Sequence, residues 1–268
     1  MRTLLAILAP VAVALAVQAM PYRPAPEDRA EALPAIAHAG GALDGVDYTN
    51  SHAALEANAD RYHLFEIDLI ETTDGAWVCL HDWDRRGPAL LGTGGEPVSL
   101  AEFQRRAAAS PTRPCTLDTL ADWMRATPHA RLVTDVKGDT LSALARFAAT
   151  HPDLVARTVP QIYDPAEAAP ARALGFETLI WTLYRFGGSD SAVLARLAEV
   201  RPAAVTMPVE RSRRGLGARL RARGMAAYVH TINEAEAARW HRARGVGGIY
   251  TDTLAPDWTL DPFAPVAD

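Results

Sequence analysis

The stretch that decides the fold is AAVTMPVERSRRGLGARLRARGMAAYVHTINEAEAARWHRARGVGGIYTD, residues 203–252. Three short runs rich in apolar and β-branched residues, Ala203–Pro208, Ala226–Thr231 and Gly248–Thr251, read as strands. Between them, Leu216–Arg223 and Glu234–Arg244 carry Ala, Leu and Arg at helical spacing. Gly224 and Gly245 stand just past those helices, where a C-cap glycine belongs. Strand, helix, strand, helix, strand implies parallel neighbours with helices outside the sheet.

The same rhythm extends towards the N-terminus. Strand candidates are Pro34–Ala39, Leu64–Ile70, Trp77–Asp82, Leu132–Lys137, Thr158–Ile162 and Thr178–Leu183. Helices are expected at Leu141–Ala149, Pro165–Leu174 (followed by Gly175) and Ala192–Val200. An α/β barrel takes about 250 residues, and this chain has 268, so one (β/α)8 TIM barrel domain over residues 34–268 fits. Nine strand candidates are one too many for eight places. Leu64–Ile70 and Trp77–Asp82 are joined by the turn signal Thr73-Asp74-Gly75, so they should be antiparallel, with one leaving the strict barrel or crossing its mouth. The competing fold is a doubly wound open sheet, but no Gly-rich phosphate-binding signature supports its nucleotide-binding form. Residues 84–115 read as a polar, glycine-rich excursion.

Apolar residues make up 49% of the chain, which excludes wholesale disorder. A net charge of −5, without a basic block, argues against nucleic acid as a partner. Residues 1–19 read as a signal peptide, with an apolar Leu4–Val17 run and small residues at Val17 and Ala19. An uncleaved anchor is the alternative, the apolar run being short for a membrane span. Residues 20–33, with Pro21, Pro24 and Pro26, read as a linker. The expected location is periplasmic or secreted. Export makes a disulfide between Cys79 and Cys115 possible. Two small buried thiols is the reading preferred from sequence.

Polar residues gather at the C-terminal ends of the strand candidates, the end that carries active sites in this barrel. His38 closes the first strand ahead of Gly40-Gly41. Glu66 and Asp68 share one strand face, as do Asp135 and Lys137. His81 ends the third strand, on the same face as Cys79. Carboxylates amid apolar neighbours call for a cation, and oxygen ligands suit one hard divalent ion, Mg²⁺ or Ca²⁺. Two histidines suit acid and base work near neutral pH, and a lysine suits a phosphate oxygen. Trp83, Trp181, Tyr184 and His230 are candidate pocket walls, ordinary packing being the alternative for the aromatics.

The motifs resemble those of the glycerophosphodiester phosphodiesterase family. Ile36-Ala37-His38-Ala39-Gly40-Gly41 is similar to its opening H-R-G, and Tyr48-Thr49-Asn50-Ser51 stands at its P-E-N-T. Phe65-Glu66-Ile67-Asp68, Thr73-Asp74-Gly75 and His81-Asp82 resemble its E-x-D, T-x-D-G and H-D. Residues Pro114 to Leu120 resemble its P-T-L helix start, and Asp135-Val136-Lys137 its E-x-K. His230-Thr231-Ile232-Asn233 and Gly245 to Asp252 resemble its ending. The resemblance spans roughly residues 35–253. It implies hydrolysis of a glycerol-linked phosphodiester, with His38 and His81 as the acid/base pair. It also implies Glu66, Asp68 and Asp135 as metal ligands and Lys137 as a phosphate contact. Asn50 is expected to hold a loop or ligand. Three departures stand out: Ala39 replaces an arginine, Asp135 a glutamate and His230 a tryptophan. They leave open a sphingomyelinase D-like or phospholipase D-like lyase acting on lysolipids, and a non-catalytic exported binding barrel. The expected partner is a small phosphodiester or lysolipid, with no stable membrane span.

Overall fold

The computed structural model describes residues 35–255. The expected signal peptide and linker lie outside the described residues. Among the described residues nine strands form one sheet: β1 (Ala35–Ala37), β2 (Leu64–Glu71), β3 (Trp77–Cys79), β4 (Arg131–Val136), β5 (Thr158–Ile162), β6 (Ile180–Thr182), β7 (Ala204–Pro208), β8 (Ala226–His230) and β9 (Gly248–Thr251). All except β3 are parallel, and β1 pairs with both β9 and β2, so eight strands close into a barrel. The open doubly wound alternative is therefore excluded. β3 is the extra strand. It pairs antiparallel with the far end of β2, Leu69 opposite Cys79 and Glu71 opposite Trp77, beyond the part of β2 that pairs with β1.

The helices are α1 (His52–Asn58), α2 (Arg86–Leu91), α3 (Leu100–Ala109), α4 (Leu117–Ala126), α5 (Thr140–Thr150), α6 (Ala168–Ala173), α7 (Asp190–Val200), α8 (Val209–Arg213), α9 (Leu216–Arg221) and α10 (Ala235–Arg242). Ser51, Ser99, Thr116, Asp139 and Ser189 start helices by accepting a backbone N–H with the side chain. Gly245 ends the α10 turn at φ +86°, and a Cβ there would lie 2.6 Å from Ala218 Cα. Close packing as well as handedness thus demands glycine. The excursion at 84–115 is more ordered than its composition implies. α2 and α3 enclose a small core of Val78, Leu80, Trp83, Leu91, Phe103 and Ala107 beside β3.

Two layers inside the barrel explain where the chemistry lies. Ile36, Leu64, Val133, Val159, Ile180, Ala204, Tyr228 and Tyr250, one from each barrel strand, form a buried interior cluster. Moving two residues along each strand keeps the same face. That step leads from the apolar plug to His38, Glu66, Asp135, Gln161, Thr182, Thr206, His230 and Asp252, every one polar. The barrel is an apolar plug capped by a polar ring at its C-terminal mouth. The larger core, between strands and helices, includes Phe65, Ile67, Trp123, Phe147, Phe176 and Trp181.

Two expectations about cysteine are corrected. Cys79 and Cys115 form a disulfide, with Cα atoms 5.0 Å apart, instead of two thiols. The backbone imposes the approach, since Cys79 N–H donates to the Cys115 carbonyl at 2.7 Å. Cys79 consequently packs in the larger core between strands and helices and does not face the site with His81.

Candidate active site

The β2–β4 register sets Asp68 directly against Asp135, with Glu66 two residues deeper against Val133. Ligand oxygens of Glu66, Asp68 and Asp135 lie within 4.8 Å of one another, and all three residues are buried. One Glu66 oxygen accepts the Ala39 N–H at 2.8 Å. The other is buried without a hydrogen-bond partner. Burial, reinforced by Asp68 and Asp135, pushes the Glu66 carboxyl well above its ordinary range. Three converging acids and an orphaned buried oxygen are the environment that a hard cation satisfies.

The remaining oxygens are held from around the mouth. The Asn50 amide donates to Asp68 Oδ2 at 2.8 Å, and its own oxygen accepts the Asp68 N–H at 2.9 Å. Asn50 therefore fixes the Asp68 carboxylate. Lys137 Nζ stands 2.7 Å from Asp68 Oδ1 and 2.9 Å from Asp135 Oδ2. The Tyr163 hydroxyl donates to Asp135 Oδ1 at 2.5 Å. Burial works against the Lys137 charge, but Asp68 and Asp135 raise its pKa above the ordinary lysine value. Burial would raise Asp68, yet Lys137, His81 and His38 hold it low, at about 2. The ammonium thus sits among the carboxylates where the sequence reading placed it against a phosphate.

Both histidines are at the mouth. β1 lies in register with β9, Ala37 against Thr251, so the next pair is His38 and Asp252. His38 Nδ1 and Asp252 Oδ1 are 2.8 Å apart, and Asn233 Nδ2 donates to the other oxygen at 2.7 Å. Burial would raise Asp252, but His38 and Asn233 hold it below the ordinary carboxylate range. His81 Nδ1 lies 2.8 Å from Asp82 Oδ2, and Asp82 Oδ1 accepts the N–H groups of Arg85 and Arg86. In each pair the carboxylate engages Nδ1, which leaves Nε2 for chemistry. The Tyr48 ring packs edge-on against both imidazoles, with centroids 4.2 Å from His38 and 5.1 Å from His81.

His230 joins this group, its ring 4.5 Å from His38 and its Nδ1 3.0 Å from the Tyr184 hydroxyl. Burial, with His38 beside it, pushes His230 well below its ordinary pKa. Trp181 is not brought to the mouth. Ile180 faces the barrel interior, so its neighbour turns outward and packs on Phe186, fully buried. Trp83 belongs to the α2–α3 core. The sequence reading gave no role to Asp252, Asp82, Tyr48, Tyr163, Asn233 or Gln161. The signal for Asp252 and Gln161 was available, two residues beyond an apolar interior position on each strand. The other four depend on loops.

No protein-family model matches the sequence, and no curated protein matches it. Solved structures do match. A glycerophosphodiester phosphodiesterase from Parabacteroides distasonis superposes with a TM-score of 0.63 at 19% identity, covering 82% of this chain and 92% of that one. One from Thermotoga maritima gives 0.61 at 18% identity, over 82% and 94%. An Oleispira antarctica phosphodiesterase, in complex with its product sn-glycerol-3-phosphate, gives 0.60 at 18%, over 82% and 93%. The closed eight-stranded barrel of this chain is the fold of these phosphodiesterases, preserved along nearly the whole length of each.

Proposed function

We propose that this chain is a glycerophosphodiester phosphodiesterase, hydrolysing its substrate to an alcohol and glycerol phosphate with the help of one divalent cation. The observation that carries the reading is the mouth itself. Two imidazoles, each tied at Nδ1 to a carboxylate, face three buried carboxylates, among which one Glu66 oxygen has no protein donor. The structural similarity to glycerophosphodiester phosphodiesterases supports the same choice.

Glu66, Asp68 and Asp135 would hold the cation, Mg²⁺ or Ca²⁺. When bound it supplies positive charge to offset that on the phosphoryl oxygens. His38, with Asp252 on Nδ1, offers Nε2 as base to the attacking water. His81, on the open side with 28% of its side chain exposed against 2% for His38, gives its Nε2 proton to the leaving alcohol. Asp82 steadies the charged form of His81 until then. His230 and Tyr184 wall the pocket. We place the reaction outside the cytoplasm, where a buried disulfide persists.

The test is product release from a panel of glycerophosphodiesters and lysophospholipids, with EDTA and then Mg²⁺ or Ca²⁺ restored. Turnover that returns with metal supports the reading, and its absence on every diester refutes it. A cyclic phosphate that persists would convert the assignment to a lyase. His38→Ala and His81→Ala should each lower kcat by about 10²–10⁴.

A further inference from the structure

The cations at the mouth are unequally placed. Lys137 is held between Asp68 and Asp135. Ala39, beside His38, has only a methyl group, and its N–H is taken by Glu66. On the imidazole side stands Arg86, at the start of α2, its guanidinium 4.7 Å from the centre of the Tyr48 ring. Its contacts to Asp47 are long, 3.3 Å each, and 30% of the side chain is exposed. The Tyr48 ring it covers is the one wedged between His38 and His81. Tyr48 itself holds φ +54°, a conformation that bulky residues seldom adopt. Such strain persists where the surroundings over-determine it and gathers at ligand clamps. Ala39 and Asn50, both at this mouth, share the left-handed conformation.

We propose that Tyr48 and Arg86 form a phosphate clamp. The phenol hydroxyl donates to a non-bridging phosphoryl oxygen beside the two imidazoles, and the guanidinium over the ring balances that oxygen's charge. The clamp rests on the phosphodiesterase reading and adds the contact that holds the anion. Tyr48 makes no hydrogen bond with another described residue, so its donor is uncommitted. Burial, with Asp68, Glu66 and Asp252 nearby, pushes its pKa up to about 12, so it remains a donor through the working pH range. Arg86 acts on the same centre, since its charge also reaches Asp252.

The experiment measures binding of sn-glycerol 3-phosphate by calorimetry together with diester turnover. It compares wild type, Tyr48→Phe, Arg86→Ala and Arg86→Lys. Tyr48→Phe keeps the packed ring and removes only the hydroxyl. It should weaken binding about ten- to a hundredfold, the range for a hydrogen bond to a charged group. Arg86→Ala should weaken binding by about tenfold, raise KM more than it lowers kcat, and flatten the salt dependence. Arg86→Lys should recover part of the loss. All three variants should melt where wild type does. Wild-type binding by Tyr48→Phe and Arg86→Ala overturns the clamp while leaving the hydrolase reading intact. Binding that depends on both residues without diester turnover keeps the clamp and overturns the hydrolase. Failure of wild type to bind or turn over overturns both.

Discussion

Asp252 accepts at both oxygens, from His38 on one side and from the Asn233 amide on the other. An amide at this position would present an NH₂ group to one of those two donors. Asp252→Asn should therefore lower kcat by about 10² or more without unfolding the barrel, as measured by steady-state kinetics alongside thermal melting. Glu66 sets a pH signature of its own. Its folded pKa is raised, chiefly by burial, so between the unfolded and folded values the native state binds a proton that the unfolded state has released. Stability then falls as pH rises through that window. With EDTA present, urea unfolding should show metal-free protein losing stability above the ordinary carboxylate range. Glu66→Gln, which has no charge to bury, should flatten the trend. An unchanged slope in Glu66→Gln would mean that another group carries it.

At the level of elements, β3 is a short strand with several duties. It lies outside the barrel on the extension of β2, and it leads into His81. Its disulfide ties it to Cys115, whose N–H reaches the carbonyl of Asn50 at 3.4 Å, and Asn50 holds Asp68. The bridge therefore joins the His81 strand to a segment hydrogen-bonded to Asn50, the residue that orients a candidate metal ligand. Closing a loop between residues 36 apart in sequence should contribute about 2–4 kcal/mol. A Cys79→Ser/Cys115→Ser double variant should lose about that much unfolding free energy in urea and also lose kcat, since His81 and Asn50 loosen together. Loss of stability with full kcat would confine the bridge to a structural role. The neighbouring α4 begins with a capping box at Thr116 and Thr119. Thr116→Ala should be milder, about 1 kcal/mol in the same unfolding experiment.

On the scale of the whole molecule, the closed barrel concentrates buried acids at one mouth, and a bound cation should feed back on folding. Metal that binds only the native state stabilises it by mass action, about 2.7 kcal/mol at a hundredfold excess over Kd. For a domain of this size that is a rise in Tm of roughly 5–10 °C. A triple variant, Glu66→Gln/Asp68→Asn/Asp135→Asn, should melt at one temperature whether or not Mg²⁺ or Ca²⁺ is added. Among the described residues no helix is long and apolar enough to cross a membrane. The order and type of elements were readable because each announces itself locally. Thr158–Ile162 and Gly248–Thr251 have the limits their composition indicated, and Gly175, Gly224 and Gly245 adopt the left-handed conformation their positions required. α2 and α3 were not read, since Gly87, Pro88, Gly92, Gly94 and Gly95 signal loop there and the core the two helices share forms only against β3. The sequence by itself determined the alternation of strands and helices, and hence the barrel, along with His38, Glu66, Asp68, His81 and Asp135 as its polar strand ends. Local periodicity carries that information, because a strand's face repeats every two residues. Tertiary structure alone decided that Asp252 meets His38, that Lys137 lies between two carboxylates, that Trp181 turns away, that the cysteines join and that Tyr48 stands between the histidines. Those outcomes depend on register between distant strands and on loop geometry, which no local pattern encodes.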